Sequence, residues 1–465
     1  LKYNTVITLQ DAGFPCAIDL SERNMTFTRT LLAASTAMIL VAGAASAQAQ
    51  PVEIDFWHAM GGELGDRTQE VVDGFNESQD EFRVNAVFRG NYTETLTSAI
   101  AAFRARQQPH LVQVFEVGTA SMMAAEGAIF PVYRLMEEHG RDWDPSVYLP
   151  SVVGYYADPD GNMLSMPFNS STPVMYFNRD AMEAAGLDPN TPPTTWDEVV
   201  EMSRTIIEAG AAECGFTTGW QSWVQLENFS ALHNVPLATN ANGFEGLDTE
   251  FSFNSDLHVR HIANMKEWQD ENVFRYGGRR SDSAPLFYTG ECAFYMNSSA
   301  AQAGVEANTD FEFGVAMLPY YDDVGGAPQN SIIGGATLWV LNGHSDEDYA
   351  AVAAFFDYLS EAEVQAAWHQ VTGYLPITMA AFDLSREQGF YEANPGTDTS
   401  ILQMTLNEPT DYSRGLRLGN FVQIRDVINE ELEEVWSGNK SAQDALDDAV
   451  RRGNDLLRQF EADNS

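Results

Sequence analysis

VEIDFWHAMGGELGDRTQEVVDGFNESQDEFRVNAVF, residues 52–88, opens with an apolar-rich run, passes through a helically spaced stretch and closes on alternating apolar and polar residues. Read by periodicity, 52–56 is a strand, 65–75 a helix and 82–88 a second strand. Working outward, 93–106 has helical spacing, and 111–115 is a short buried strand that delivers Glu116 at its end. Strand, helix, strand, helix is the order of a parallel α/β sheet. The rhythm restarts after Pro173 with a strand over 174–177. Thr195 and Glu198 then form a capping box ahead of Val199, Val200, Met202, Ile206 and Ile207, and Gly210 closes that helix. Further strands fit 214–218, 293–296, 313–318 and 337–341. Two C-terminal helices follow, one with Ile424, Val427, Ile428, Leu432 and Val435 on one face, and one that starts at Ser441 and Asp444 and carries Leu446, Val450 and Leu457. The expected fold is therefore α/β in two lobes, and the absence of a low-complexity linker implies a chain that crosses between them more than once, leaving a cleft with hinges.

Composition narrows the function. The chain carries 67 acidic and 25 basic side chains, a formal charge of -42, which is the wrong sign for a phosphate backbone and excludes nucleic acid as a partner. Residues 26–50 hold Arg29, the apolar run 31–44 and Ala45-Ser46-Ala47, the pattern of a secretory signal peptide. Residues 1–24 read as a mis-assigned leader and 25–47 as the signal, so export to the periplasm is expected. In that compartment Cys214 and Cys292 either pair or stay free; the sequence leaves both open. The histidines form no H-x-x-x-H or Cys/His cluster, and no metal or cofactor is expected.

In open α/β sheets ligands bind beyond the carboxyl ends of strands. Those positions hold Glu116, Asn169-Ser170-Ser171-Thr172, Trp220-Gln221-Ser222-Trp223, Asn297-Ser298-Ser299 and Gly334-Gly335. Hydroxyls and glycine N–H groups donate to oxyanions, indoles pack on C–H surface and a carboxylate accepts from hydroxyls, so the set suits a small polyhydroxylated anion. Catalytic signatures are missing: there is no G-x-S-x-G elbow, Walker A lysine or G-x-G-x-x-G turn, and His58 and His369 read as structural.

Longer motifs then carry a resemblance: FWHAMGGELG from Phe56, QVFEVGTA from Gln113, PFNSSTPV from Pro167, GWQSWVQLENFSA from Gly219, APQNSIIGGATLWV from Ala327, WHQVTGYLPIT from Trp368 and GLRLGNFVQIR from Gly415. Over nearly the whole chain the sequence resembles the periplasmic sn-glycerol-3-phosphate-binding proteins of bacterial ABC importers. The resemblance implies the type II periplasmic-binding-protein fold, two α/β lobes joined by hinge crossovers, with 50–172 and 319–368 in the N-terminal lobe and 173–318 and 369–465 in the C-terminal lobe. It implies a monomeric, non-enzymatic receptor that captures glycerol-3-phosphate or a glycerophosphodiester such as glycerophosphocholine and passes it to permease subunits driven by a separate ATPase. Carried over by position, the ligand contacts are Tyr92, Glu116, Ser171, Ser298, Gly335, Tyr374 and Arg425, with Trp220 beside the glycerol carbons and Trp223 its companion. Arg425 is expected to offer an open fork to phosphate oxygens, so that Arg425→Ala removes binding and leaves the fold intact. An oligosaccharide receptor of the same fold and an exported phosphodiesterase or glycosidase stand as alternatives.

Overall fold

The computed structural model describes residues 50–125 and 127–465, so the expected leader and signal peptide lie outside the described residues. Strand β1 (Val52–His58) pairs in parallel with β2 (Phe82–Phe88) and β3 (Leu111–Phe115), with helices α1 (Gly62–Ser78) and α2 (Tyr92–Arg104) as crossovers. The start of α2 is fixed by a capping box: Asn91 Oδ1 accepts from the Glu94 N–H at 3.1 Å, and the Glu94 carboxylate accepts from the Asn91 N–H at 2.8 Å.

The remaining strands are β4 (Ile129–Phe130), β5 (Met166–Ser171), β6 (Pro173–Asn178), β7 (Cys214–Thr218), β8 (Cys292–Ser298), β9 (Phe313–Ala316) and β10 (Gly334–Leu341). They build two sheets, one ordered β2-β1-β3-β10-β4 with β5 also on β10, the other β7-β8-β6-β9. The parallel arrangement expected from the strand-helix-strand order holds for β1, β2 and β3, and the sheets are mixed beyond them. Among the described residues β7 and β8 also pair in parallel, whereas β10 is antiparallel to β3, β4 and β5, and β6 to β8 and β9. The reason is topological: β10 re-enters the first sheet from the second, and that return reverses its direction. The strand expected over 313–318 stops at Ala316.

Helix α3 (Trp196–Glu208) begins at the Thr195/Glu198 box and buries Val199, Val200 and Ile206. Helices α4 (Asp346–Leu359) and α5 (Ala362–Thr372) cover the first sheet; α6 (Phe421–Trp436) and α7 (Ala442–Asn464) pack on the second core through Ile424, Ile428, Leu432, Leu446 and Leu457. Tyr374, Leu375, Ile377, Ile401 and Met404 pack with the first core, so the chain after 369 contributes to both. Among the described residues no helix is long and apolar enough to cross a membrane.

Three segments pass between the sheets, and buried hydrogen bonds tie them together. Thr172, the one residue between β5 and β6, places its hydroxyl 2.6 Å from Ser331 Oγ. Gln403 Nε2 donates to Ser331 Oγ at 3.0 Å and to the Pro173 carbonyl at 2.8 Å, while its Oε1 accepts from the Leu318 N–H at 2.7 Å. Cys214 and Cys292 face each other across β7 and β8 with Cα atoms 4.6 Å apart and form a disulfide. His58 and His369 are buried, and burial pushes both down to about 4, so they are neutral packing groups.

Candidate functional site

Tyr92, Glu116, Ser171, Trp220, Trp223, Ser298, Gly335, Tyr374 and Arg425 all line one cavity of about 360 Å³. The secondary structure explains the convergence. Tyr92 is the first residue of α2, Glu116 follows β3, Ser171 and Ser298 end β5 and β8, Gly335 is the second residue of β10, Tyr374 lies just past α5, and Arg425 sits in the second turn of α6. Element ends, rather than element middles, surround the space.

A relay of amides sets the polarity of one wall. The Ala59 N–H can only donate, and it donates to Gln113 Oε1 at 2.7 Å. Gln113 Nε2 must then donate onward to Asn169 Oδ1, at 2.8 Å, and Asn169 Nδ2 to the Tyr92 hydroxyl oxygen, at 3.0 Å. The Tyr92 proton is thereby turned away from Asn169, toward the neighbouring Tyr374 hydroxyl or a ligand that replaces it. Burial holds the Tyr92 phenol well above its ordinary pKa and pushes Tyr374 up to about 12, so both stay neutral donors. Tyr92 also stacks on Phe115, with ring centroids 5.1 Å apart. Ser298 Oγ accepts from the Ala300 N–H at 3.1 Å, which leaves its own proton available, and the Ser171 hydroxyl has no protein partner among the described residues.

The opposite wall is charged. Arg425 Nε and Nη2 donate to the two oxygens of Glu227, at 2.9 and 2.6 Å, and Nη2 also reaches Glu116 Oε1 at 2.7 Å. All three groups are buried. Desolvation alone would depress the guanidinium; the Glu227 and Glu116 carboxylates outweigh it and hold Arg425 above its ordinary value. Glu116 is raised, first by burial and then by Glu227 nearby, with Arg425 opposing. Two carboxylates compete for one cation, and Glu116, with the single bond, is the weaker competitor. The open fork expected of Arg425 is therefore corrected: only Nη1 lacks a protein hydrogen bond among the described residues, and the triad carries one positive charge against two negative ones.

Two glycines are dictated by close approach. A Cβ on Gly335, at φ 92°, would lie 1.8 Å from the Asn169 carbonyl oxygen, and one on Gly334 would lie 2.3 Å from the Trp223 indole. A further corner is unusual because bulky residues occupy it: Trp220 and Arg280 adopt φ 45° and 54°, and the Trp220 N–H donates to the Arg280 carbonyl at 2.7 Å. Such backbone costs about 1–3 kcal/mol per residue and persists only where surrounding structure enforces it.

The sequence reading missed Glu227 and Arg280. Glu227 lies inside the GWQSWVQLENFSA motif, on a π-helical turn (Trp223–Asn228), but nothing local distinguishes it among so many acids. Away from the cavity, His110, His344 and Asp348 come close enough to suggest a metal site. Their hydrogen bonds argue otherwise. His110 Nδ1 accepts from the Asp55 N–H at 2.9 Å, so Nε2 holds its proton, and His344 Nε2 faces the Pro109 carbonyl at 3.0 Å and must donate to it. Two free ligand atoms remain, fewer than a structural metal needs.

Comparison with known proteins places this geometry. The family described as bacterial extracellular solute-binding protein matches residues 70–398. The sn-glycerol-3-phosphate-binding periplasmic protein UgpB of Yersinia pseudotuberculosis serotype I is 49% identical over 421 residues, covering 90% of this chain and 95% of that protein. Among solved structures, UgpB of Mycobacterium tuberculosis in complex with glycerophosphocholine superposes with a TM-score of 0.73 at 22% identity, over 88% of this chain and 99% of that one. Maltose-bound MalE3 of T. maritima gives a TM-score of 0.72 at 18% identity, over 87% of this chain and 100% of that one.

Proposed function

The chain belongs to the bacterial extracellular solute-binding proteins, and from that premise we propose that it is a periplasmic receptor for glycerol-3-phosphate or a glycerophosphodiester. It delivers the ligand to the permease of an ABC importer with a separate ATPase, and acts as a monomer. The observation that carries the reading is the cavity's surplus of donors over acceptors. Ser171 and Ser298 present hydroxyl protons, Tyr92 and Tyr374 present theirs once a ligand replaces their contacts with each other and with Met60 Sδ, and Arg425 presents Nη1, against the free carboxylate oxygens of Glu116 and Glu63. An acceptor-rich phosphoryl group with an adjoining polyol satisfies both. Ser171, Ser298, Tyr374 and the Gly335 N–H take the phosphate oxygens together with Arg425 Nη1; Glu116 and Tyr92 take the glycerol hydroxyls; Trp220 and Trp223 cover the carbon chain.

The lobes, 50–172 with 319–368 and 173–318 with 369–465, the last of which also lends Tyr374, Leu375, Ile377, Ile401 and Met404 to the first core, close over the ligand about the crossing segments joined at Thr172, Ser331 and Gln403. Binding drives closure by its differential affinity for the closed form. Retention rather than turnover is favoured because neither Ser171 nor Ser298 has a histidine or carboxylate hydrogen-bonded to it among the described residues, and a serine without a base is a poor nucleophile. The test is to incubate purified protein with glycerophosphocholine and record both native mass spectra and free choline. One ligand retained per chain without choline release is the expected result; catalytic release of choline overturns the receptor reading.

A further inference from the structure

Resting on the receptor reading above, we propose that Arg280 is the second cation of the ligand site and sets its preference for a phosphomonoester over a phosphodiester. The Arg425 guanidinium is already outweighed by Glu116 and Glu227, so a monoester, which near neutral pH carries between one and a half and two negative charges, approaches a triad of net negative sign. Neutral donors orient its oxygens but do not offset that repulsion.

Arg280 is placed to do so. It borders the same cavity as Arg425, and both also border a neighbouring cavity of about 470 Å³, with Phe115 and Trp220 shared between the two. Its side chain makes no hydrogen bond or ion pair among the described residues. Its neighbour Arg279 shows what usually happens to a cation in so acidic a chain: Nε and Nη2 both grip Glu433, at 2.6 Å each. The backbone around Arg280 is built to hold it where it is. Its left-handed φ is matched by that of Trp220, whose N–H binds its carbonyl, and Gly219 leaves room because a Cβ there would lie 2.8 Å from the same carbonyl oxygen. A strained corner that brings an unpaired arginine beside the indole of the ligand cavity is a feature of a binding site rather than of a loop.

A diester carries one charge on its phosphoryl group, and a choline ester offsets even that with its ammonium. Arg280 therefore matters more for sn-glycerol-3-phosphate than for glycerophosphocholine. The test is calorimetric titration of both compounds into the intact protein and into Arg280→Gln and Arg280→Lys. Arg280→Gln is expected to weaken sn-glycerol-3-phosphate about tenfold or more and glycerophosphocholine by less than about threefold, as removal of one partly screened charge predicts. Arg280→Lys recovers most of the loss, and the loss shrinks in high salt. The unfolding temperature stays the same, because the side chain is exposed. Equal losses for the two ligands, or none, overturn the proposal while leaving the receptor reading in place; an intact protein that binds neither compound overturns both.

Discussion

Arg425→Ala is expected to abolish ligand binding and, in addition, to cost about 3–5 kcal/mol of folding stability. The sequence alone anticipates only the first effect. In the structure the guanidinium is buried and holds three hydrogen bonds to Glu227 and Glu116. Removing it leaves two carboxylates in a low-dielectric pocket with no counter-charge, and a buried unpaired charge is far more costly than a missing ion pair is beneficial. The remedy separates the two effects. Replacing all three members, as in Arg425→Met with Glu227→Leu and Glu116→Gln, takes every buried charge away and is expected to restore most of the stability without restoring binding. Urea unfolding of the single and triple variants beside titration of ligand checks both halves. A single variant as stable as the parent would show that the triad is not buried as described.

Replacing Cys214 and Cys292 by alanine is the second large effect. The bond closes a loop with a sequence separation of 78, for which chain entropy suggests about 4 kcal/mol of stabilisation. Both residues are fully buried, Cys214 in β7 and Cys292 in β8, in register with each other, so the cysteines also contribute packing. Reduction or double substitution is expected to lower the unfolding midpoint markedly in the second sheet's region. Ligand affinity should change little, because Ser298 is carried by the far end of β8, several residues from Cys292. An unchanged midpoint would mean that hydrogen bonding and packing of β7 on β8 already fix that pair of strands.

Local signals were legible where local physics decides. The Thr195/Glu198 capping box, the limits of β7 and the apolar faces of α6 and α7 follow from residues within one or two turns. The direction of β10 was not legible, since it depends on a return from the other sheet. Nor was β5, MPFNSS, whose buried polar end hides any apolar alternation. Strand-end position alone pointed to Glu116, Ser171, Trp220, Trp223, Ser298 and Gly335. Tyr92, Tyr374 and Arg425 came only through family resemblance, because nothing in their immediate neighbours announces a site. Glu227 and Arg280 escaped both routes. The first becomes meaningful only when α6 brings Arg425 to it, and the second only when Trp220 turns its N–H onto the Arg280 carbonyl.

The cavity between β3, β5, β8 and α6 is proposed to hold a phosphorylated three-carbon polyol. Titration of sn-glycerol-3-phosphate against maltose, by calorimetry on the purified protein freed of bound ligand, tests it most directly. Saturable one-to-one binding of the phosphate, at a micromolar constant corresponding to about -8 kcal/mol, with no heat from maltose, is the predicted result. Binding of maltose with no response to sn-glycerol-3-phosphate would contradict the account.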